Sequence, residues 1–305
     1  MPRRSLWRRF RRATRGPRNA VLARAIRGAM GLLGALPVPL ALAIGRGLGA
    51  GAHRLLGRPR RLALAHVALA FPELDAPARH ALVRATFRHA GQSFAELTLW
   101  PKLRDRGYVA IEGLDVLQAM CAAGRGGIAV ASHAGNWELL AASIAAAGIP
   151  ATVIARRVND ARFDALVVGF RRSVGVEVLV RDDPHFLSGV RDALDRNRIV
   201  AILIDQDTRG AGVFVPFFGR PARTPAGAAV LGLRARVPIC TAFIERRPGG
   251  GHLVRIAPVP VGPRGERADV TTLTATLTAA IDAQIRRAPA EWVWWHERWR
   301  RQPDA

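Results

Sequence analysis

From residue 74 onward the hydrophobic positions follow two rhythms in turn. DAPARHALVRATFRHAGQSFAELTLW carries apolar residues at helical intervals, with Asp75 placed as a cap and Pro77 in the first turn, and predicts a helix over 74–100. Short, wholly apolar runs then alternate with longer periodic ones. GGIAVAS (126–132), ATVIAR (151–156), VEVLV (176–180) and RIVAILID (198–205) predict buried strands, the last being the strongest. WELLAASIAAAG (137–148), residues 160–173 and HFLSGVRDALDRN (185–197) predict the helices between them. A Gly-, Phe- and Pro-rich loop follows to about Pro225, then a helix through Arg236. PICTAFIER and HLVRIAPVP predict two adjacent strands joined by RPGGG, and 270–287 a final helix before an aromatic tail. Such alternation predicts an α/β fold, a mixed central sheet flanked by helices.

The N-terminal part reads differently. MPRRSLWRRFRRATRGPR is a basic run containing Trp7 and Phe10, and no acidic residue precedes Glu73. The 18 residues between Arg27 and Arg46 are uncharged. A spanning helix needs about 20 apolar residues, and Pro37 and Pro39 would kink or break this one. Three readings stay open: a short anchor, an interfacial or re-entrant hairpin, or a buried helix with a solvated basic tail. A hairpin or monotopic insertion suits a catalytic body on the cytoplasmic side. The expected division is a basic, membrane-associating segment over 1–60 and a main domain over 61–305.

Charge adds a direction. Across 305 residues, 46 basic against 23 acidic give a net charge of +23, which favours anionic partners such as lipid headgroups, an acidic carrier protein or nucleic acid. Cys121 and Cys240 lack metal-ligand spacing and read as buried thiols. The chain has neither a Gly-x-Gly-x-x-Gly nor a Walker-type loop, and no recognisable nucleic-acid module.

Candidate chemistry gathers where strands end. SHAGNWEL places His133 directly after a predicted strand and Glu138 one turn into a predicted helix starting near Asn136. In open α/β sheets reactive groups collect at the carboxyl ends of strands, and a histidine there can take a proton from a hydroxyl near neutral pH. A partner must fix its other ring nitrogen, and Glu138 is the candidate. The bland alternative is a histidine bordering a helix and a first-turn glutamate. Ser132 lacks a Gly-x-Ser-x-Gly elbow, and no His-Glu-x-x-His supplies metal ligands. Asp205, Gln206 and Asp207 would emerge at the same sheet edge, beside an apolar loop with Phe214, Phe217 and Phe218 that suits a greasy substrate or folds into the core. Arg156, Arg157, Arg171, Arg172 and Arg223 have the forked donors that suit phosphate oxygens. The tail APAEWVWWHERWRRQP packs on the core or forms an interfacial belt, and core packing is the favoured reading.

Taken in order, these blocks resemble the bacterial lipid A biosynthesis late acyltransferases, the lauroyl/myristoyl transferase family of the lysophospholipid acyltransferase-like superfamily. HVALAFPELDAPARHALVRATFRHAGQSFAEL is similar to the family's helical entry, and YVAIEGLDVL to the strand before its active site. ASHAGNWELL carries the His-x4-acid motif in its Glu form, and ARRVNDARFD and RRSVG resemble the arginine-containing segments that follow. DQDTRGAGVFVPFFGRPARTPAG is the most specific block, and EWVWWHERW resembles the closing tryptophan-rich signature. Ala155 and His66 depart from the family's usual tyrosine and asparagine. The resemblance implies a glycerolipid acyltransferase-like sheet and an O-acyltransferase on the cytoplasmic face of the bacterial inner membrane. It implies acyl carrier protein as donor and a lipid A precursor, or another anionic membrane glycolipid, as acceptor, with no cofactor, metal or nucleic acid. His133 and Glu138 would be catalytic. Asn136, Arg156, Asn159, Arg171, Asp205, Gln206, Arg223 and Thr224 would meet substrate. Two alternatives remain: the same chemistry on another glycolipid, phospholipid or aminolipid, and a non-catalytic basic membrane- or nucleic-acid-binding protein.

Overall fold

The computed structural model describes residues 3–157, 160–208, 210–260 and 269–303. Four helices come first: α1 (Arg3–Ala35), α2 (Val38–Leu55), α3 (Gly57–Ala70) and α4 (Ala76–Leu103). Pro37 caps α2 and Pro39 lies in its first turn, the part of a helix that tolerates proline. The uncharged run is therefore divided between two helices, and no described helix is long and apolar enough to cross a membrane.

α2 runs against α4 at glycine distance. A Cβ on Gly49 would lie 2.1 Å from the Phe87 carbonyl oxygen, and one on Gly91 would lie 2.2 Å from that of Gly45. Small residues on this face let the backbones touch. The opposite face carries Leu40, Ile44 and Leu48, four residues apart and exposed. α4 begins as expected, with the Asp75 carboxylate accepting from the Ala78 amide at 2.8 Å.

The rest builds the sheet: β1 (Val109–Glu112), α5 (Leu114–Ala122), β2 (Gly127–Ala131), α6 (Trp137–Ala146), β3 (Ala151–Ala155), α7 (Ala161–Ser173), β4 (Glu177–Val180), α8 (Phe186–Asp195) and β5 (Ile199–Leu203). Next come β6 (Gly212–Phe217), β7 (Arg220–Pro225), α9 (Gly227–Ala235), β8 (Ile239–Arg246), β9 (His252–Val259) and α10 (Val270–Arg287). Seven strands form one mixed sheet in the order β1-β9-β8-β2-β5-β3-β4. β8 and β9 pair antiparallel, and the other neighbours pair parallel. Along β2, Ile128 and Val130 enter one core while Ala129 and Ala131 enter the other. Burial on both faces explains why these strands read as continuous apolar runs and not as alternating ones.

The segment expected as a loop to Pro225 contains the β6–β7 hairpin, a separate two-stranded sheet in which Pro216 lies opposite Pro221. Two residues without N–H groups can face each other only at a position outside the hydrogen-bonded pairs. Phe217 and Phe218 are buried against Trp292, Trp294 and Trp299, so this loop and the tail both join the core.

Candidate active site

β2, β5, β3 and β4 deliver their carboxyl ends to one edge of the sheet. His133 follows β2, Asp205 follows β5, Arg156 follows β3 and Arg181 follows β4. The turn after β2 depends on Gly135, which has a φ of 66°. A Cβ there would also sit 2.1 Å from the Ile244 carbonyl oxygen, so glycine is required twice over. The tail secures this turn: the Gly135 amide donates to the Glu291 carbonyl at 3.1 Å, and Ala134 bridges to Trp292.

His133 Nδ1 donates to Asp205 Oδ1 at 2.8 Å, and the His133 amide donates to Asp205 Oδ2 at 2.7 Å. Trp292 Nε1 donates to the same Oδ2 at 2.7 Å. Burial alone would raise the Asp205 carboxyl pKa. The His133 charge and the hydrogen bonds from His133 and Trp292 outweigh it, and the group sits below the usual carboxylate range. With a carboxylate on Nδ1, the neutral imidazole keeps its proton there and leaves Nε2 as the basic nitrogen. The His133 side chain is 25% exposed while that of Asp205 is sealed, so the base is open and its anchor is not.

The partner on the second ring nitrogen is therefore Asp205, where spacing along the chain pointed to Glu138. Glu138 instead takes a two-pronged ion pair from Arg171, at 2.6 and 2.9 Å, on the α6 and α7 walls. A carboxylate one turn into α6 and an arginine in the last turn of α7 face each other by helix placement.

Other expected substrate contacts are distributed unevenly. Gln206 and Arg156 line the groove that His133 opens into, as does Arg171. Asn136 does not reach it: the residue is buried, caps α6 by accepting from the Leu139 amide, and donates to Glu96 at 3.0 Å. Thr224 is fully buried, and its hydroxyl accepts from Arg298. Arg223 spends one guanidinium nitrogen on the Gly210 carbonyl at 3.2 Å. Asn159 lies outside the described residues. Ser132 is buried and donates to Gln284 at 2.6 Å, which removes it as a nucleophile.

The groove has a volume of about 1340 Å³, above the roughly 300–1,000 Å³ that holds a drug-sized ligand. One part is apolar, with Ile154, Val167, Val178, Phe186 and Leu231, and its rim carries Arg58, Arg157, Arg181 and Arg300. An open base, a greasy channel and a cationic rim suit acyl transfer to a hydroxyl on an anionic amphiphile. Among the described residues no cluster of His, Cys, Asp and Glu could hold a metal ion.

Comparison with known proteins defines the class. Residues 8–301 match the bacterial lipid A biosynthesis acyltransferase family, and the chain belongs to it. The Escherichia coli lipid A biosynthesis lauroyltransferase is 26% identical over 91% of this chain and 90% of its own length. The E. coli lipid A biosynthesis palmitoleoyltransferase is 27% identical over 88% and 87%. The phosphatidylinositol mannoside acyltransferase of Mycolicibacterium smegmatis is 30% identical over 75% of each chain. The protein is an O-acyltransferase acting on a lipid or glycolipid.

Proposed function

We propose that the protein transfers a fatty acyl chain from an acyl carrier protein thioester to a hydroxyl of a lipid A precursor at the cytoplasmic face of the bacterial inner membrane. The observation that carries this reading is the His133–Asp205 pair at the open end of the groove. His133 Nε2 takes the hydroxyl proton as the oxygen attacks the thioester carbon. The buried Asp205 carboxylate stabilises the imidazolium that results. The carbon–sulfur bond then breaks with its electrons going to sulfur, which receives the proton back. Such a base is worth about 10²–10⁴-fold in rate.

The near-full coverage of the two E. coli lipid A enzymes favours a lipid A precursor. The mycobacterial phosphatidylinositol mannoside enzymes support a second reading, in which another anionic glycolipid accepts the chain. In either case Arg156, Arg171 and Gln206 are the wall residues offered to substrate, and the cationic rim suits phosphate. The exposed Leu40, Ile44 and Leu48 face of α2, in a stretch without acidic residues, suits insertion into an anionic leaflet. The same net positive charge suits an acidic carrier protein.

Purified, detergent-solubilised protein is to be given lauroyl–acyl carrier protein with a lipid A precursor, and separately with a phosphatidylinositol mannoside, and the products weighed by mass spectrometry. One acyl chain appears on the lipid A precursor, and His133→Ala loses about 10²-fold or more of the rate. Transfer to the mannoside alone would move the acceptor to the second reading. Full activity in His133→Ala would end the general-base mechanism.

A further inference from the structure

No step described above uses His296. The turn carrying it is pinned at both ends. Trp292 Nε1 donates to Asp205, and Arg298 donates to the Arg223 carbonyl at 2.7 Å and the Thr224 hydroxyl at 2.5 Å. Within the turn the His296 amide donates to the Val293 carbonyl at 3.0 Å, and the Arg298 amide to the His296 carbonyl at 2.8 Å. His296 lines the same groove as His133. Its Nδ1 is enclosed without a hydrogen-bond partner, and its Nε2 has none among the described residues. An enclosed, unmet N–H costs more than an under-used acceptor, so the proton of the neutral ring belongs on Nε2. Burial lowers the ring's pKa to about 4; around it, Asp205 and Asp207 favour its protonation and His133 and Arg298 oppose it. The ring is thus a neutral donor near neutral pH. A neutral histidine is a known electrophile for a substrate carbonyl in other enzymes.

We infer that His296 is a second catalytic histidine, whose Nε2–H donates to the acyl carbonyl oxygen as negative charge develops there. The inference rests on the acyl-transfer reading above. When the hydroxyl oxygen attacks, the carbonyl π electrons move to oxygen and His133 holds the proton. His296 donates a hydrogen bond and keeps its own proton throughout. When the carbon–sulfur bond breaks, the carbonyl re-forms, sulfur takes the electron pair and His133 returns the proton. Water replacing the lipid hydroxyl passes through the same oxyanion, so slow thioester hydrolysis reports on His296 without an acceptor lipid.

The test measures hydrolysis of lauroyl–acyl carrier protein, and transfer to a lipid A precursor, in wild type, His296→Phe, His296→Gln and His133→Ala. Phenylalanine fills the ring's space without a donor. It lowers kcat of both reactions by about 10²-fold, the typical cost of one lost oxyanion donor, while KM for the thioester and the melting temperature hold. Glutamine recovers part of the rate through its amide N–H. An unchanged kcat in His296→Phe overturns the assignment, as does a raised KM with kcat intact. Should the phenylalanine variant not fold, His296→Gln against His296→Glu decides: the amide keeps most of the rate and the carboxylate loses it, and equal rates in the two overturn the assignment. Wild-type rates in His133→Ala alone would remove the general base and leave the donor standing.

Discussion

Among the described residues two histidine–carboxylate pairs occur, and only one of them opens into the groove. His133 meets Asp205 at 2.8 Å, and His252, at the start of β9, meets Glu96 of α4 at 3.0 Å. Both carboxylates are sealed, and in both the hydrogen bonds and opposite charges outweigh burial and hold the pKa below the usual range. The pairs differ in what else reaches the carboxylate. Glu96 takes both prongs of the Arg246 guanidinium, the Tyr108 hydroxyl at 2.8 Å and the Asn136 amide. Its charge is already neutralised by an arginine. Among the described residues no arginine is hydrogen-bonded to Asp205: besides the His133 ring its donors are a backbone amide and an indole, and the buried Arg298 acts on it only through space. A buried carboxylate with no cation bonded to it gains from a proton arriving on its histidine; one already bonded to arginine gains far less. Access differs in the same sense. His252 is fully enclosed with Nδ1 unpartnered, whereas His133 opens into the groove.

The largest effect that would separate the pairs is on kcat. Asp205→Asn keeps the shape but removes the charge and puts an amide against Nδ1, and kcat falls by about 10²–10⁴-fold, the worth of a general base. His252→Gln removes the other imidazole and leaves kcat within about tenfold, less than the loss of a base. Both are read by acyl-transfer assay with circular dichroism as the control for folding. Equal losses in the two would mean that the enclosed pair takes part in the chemistry and that the comparison is wrong.

The sequence carried the edge of this site but not its pairing. A buried strand ending in Ser-His, then glycine, then a capped helix, puts His133 at a sheet edge from local pattern alone, and β2, Gly135 and α6 form as that pattern predicts. The partner of Nδ1 is another matter. Asp205 is 72 residues downstream and becomes adjacent only because β5 inserts between β2 and β3. No spacing rule encodes that, while Glu138 five residues away offers a nearer acid. The emergence of Asp205 after the strongest strand was the available signal, and it marked the right edge. Trp292 could be read as core but not as a donor to Asp205, because that contact spans 87 residues. The β6–β7 hairpin was hidden by Pro216, Pro221 and Pro225, which argue against strands unless the register that spares them is known. The Glu96 cluster left no trace, since a lone Glu in FAEL looks like a solvated helix position.

Stability separates the pairs in the opposite order. Glu96→Gln leaves the Arg246 guanidinium, largely buried at 18% side-chain exposure, without its counter-charge. Breaking such a pair from one side costs about 3–5 kcal/mol. The loss is read as a lower urea midpoint at pH 7. Asp205→Asn removes a charge to which no guanidinium is hydrogen-bonded, and the nearby buried Arg298 keeps Asp207 as a counter-charge, so it costs less than Glu96→Gln in the same experiment. A smaller loss in Glu96→Gln than in Asp205→Asn would show that the arginine finds water or another acid, and that the second cluster is not a structural anchor.

The smallest effect is a pH dependence that belongs to the shell of the enclosed pair. His89 lies beside it, with Nε2 donating to the Gly135 carbonyl at 3.2 Å, and burial followed by the Arg246 charge lowers its pKa to about 4. The unfolded chain binds this proton below about 6.5, and the folded protein does so only below about 4. Between these values the unfolded state holds more protons, so the His89 contribution is present above pH 6.5 and is lost as pH falls through about 4. Glu291 works against it. Burial raises its carboxyl to about 7, so the folded protein holds a proton that the unfolded chain releases, and that contribution is lost as pH rises through 7. The wild-type curve mixes the two, and the difference between wild type and His89→Asn isolates the first. That difference in unfolding free energy shrinks by on the order of 2–3 kcal/mol from pH 7 to pH 4, at 1.36 kcal/mol per pKa unit. A difference that stays flat over this window would show that His89 is protonated in the folded protein, and that the shell around Glu96 and Arg246 admits a further positive charge.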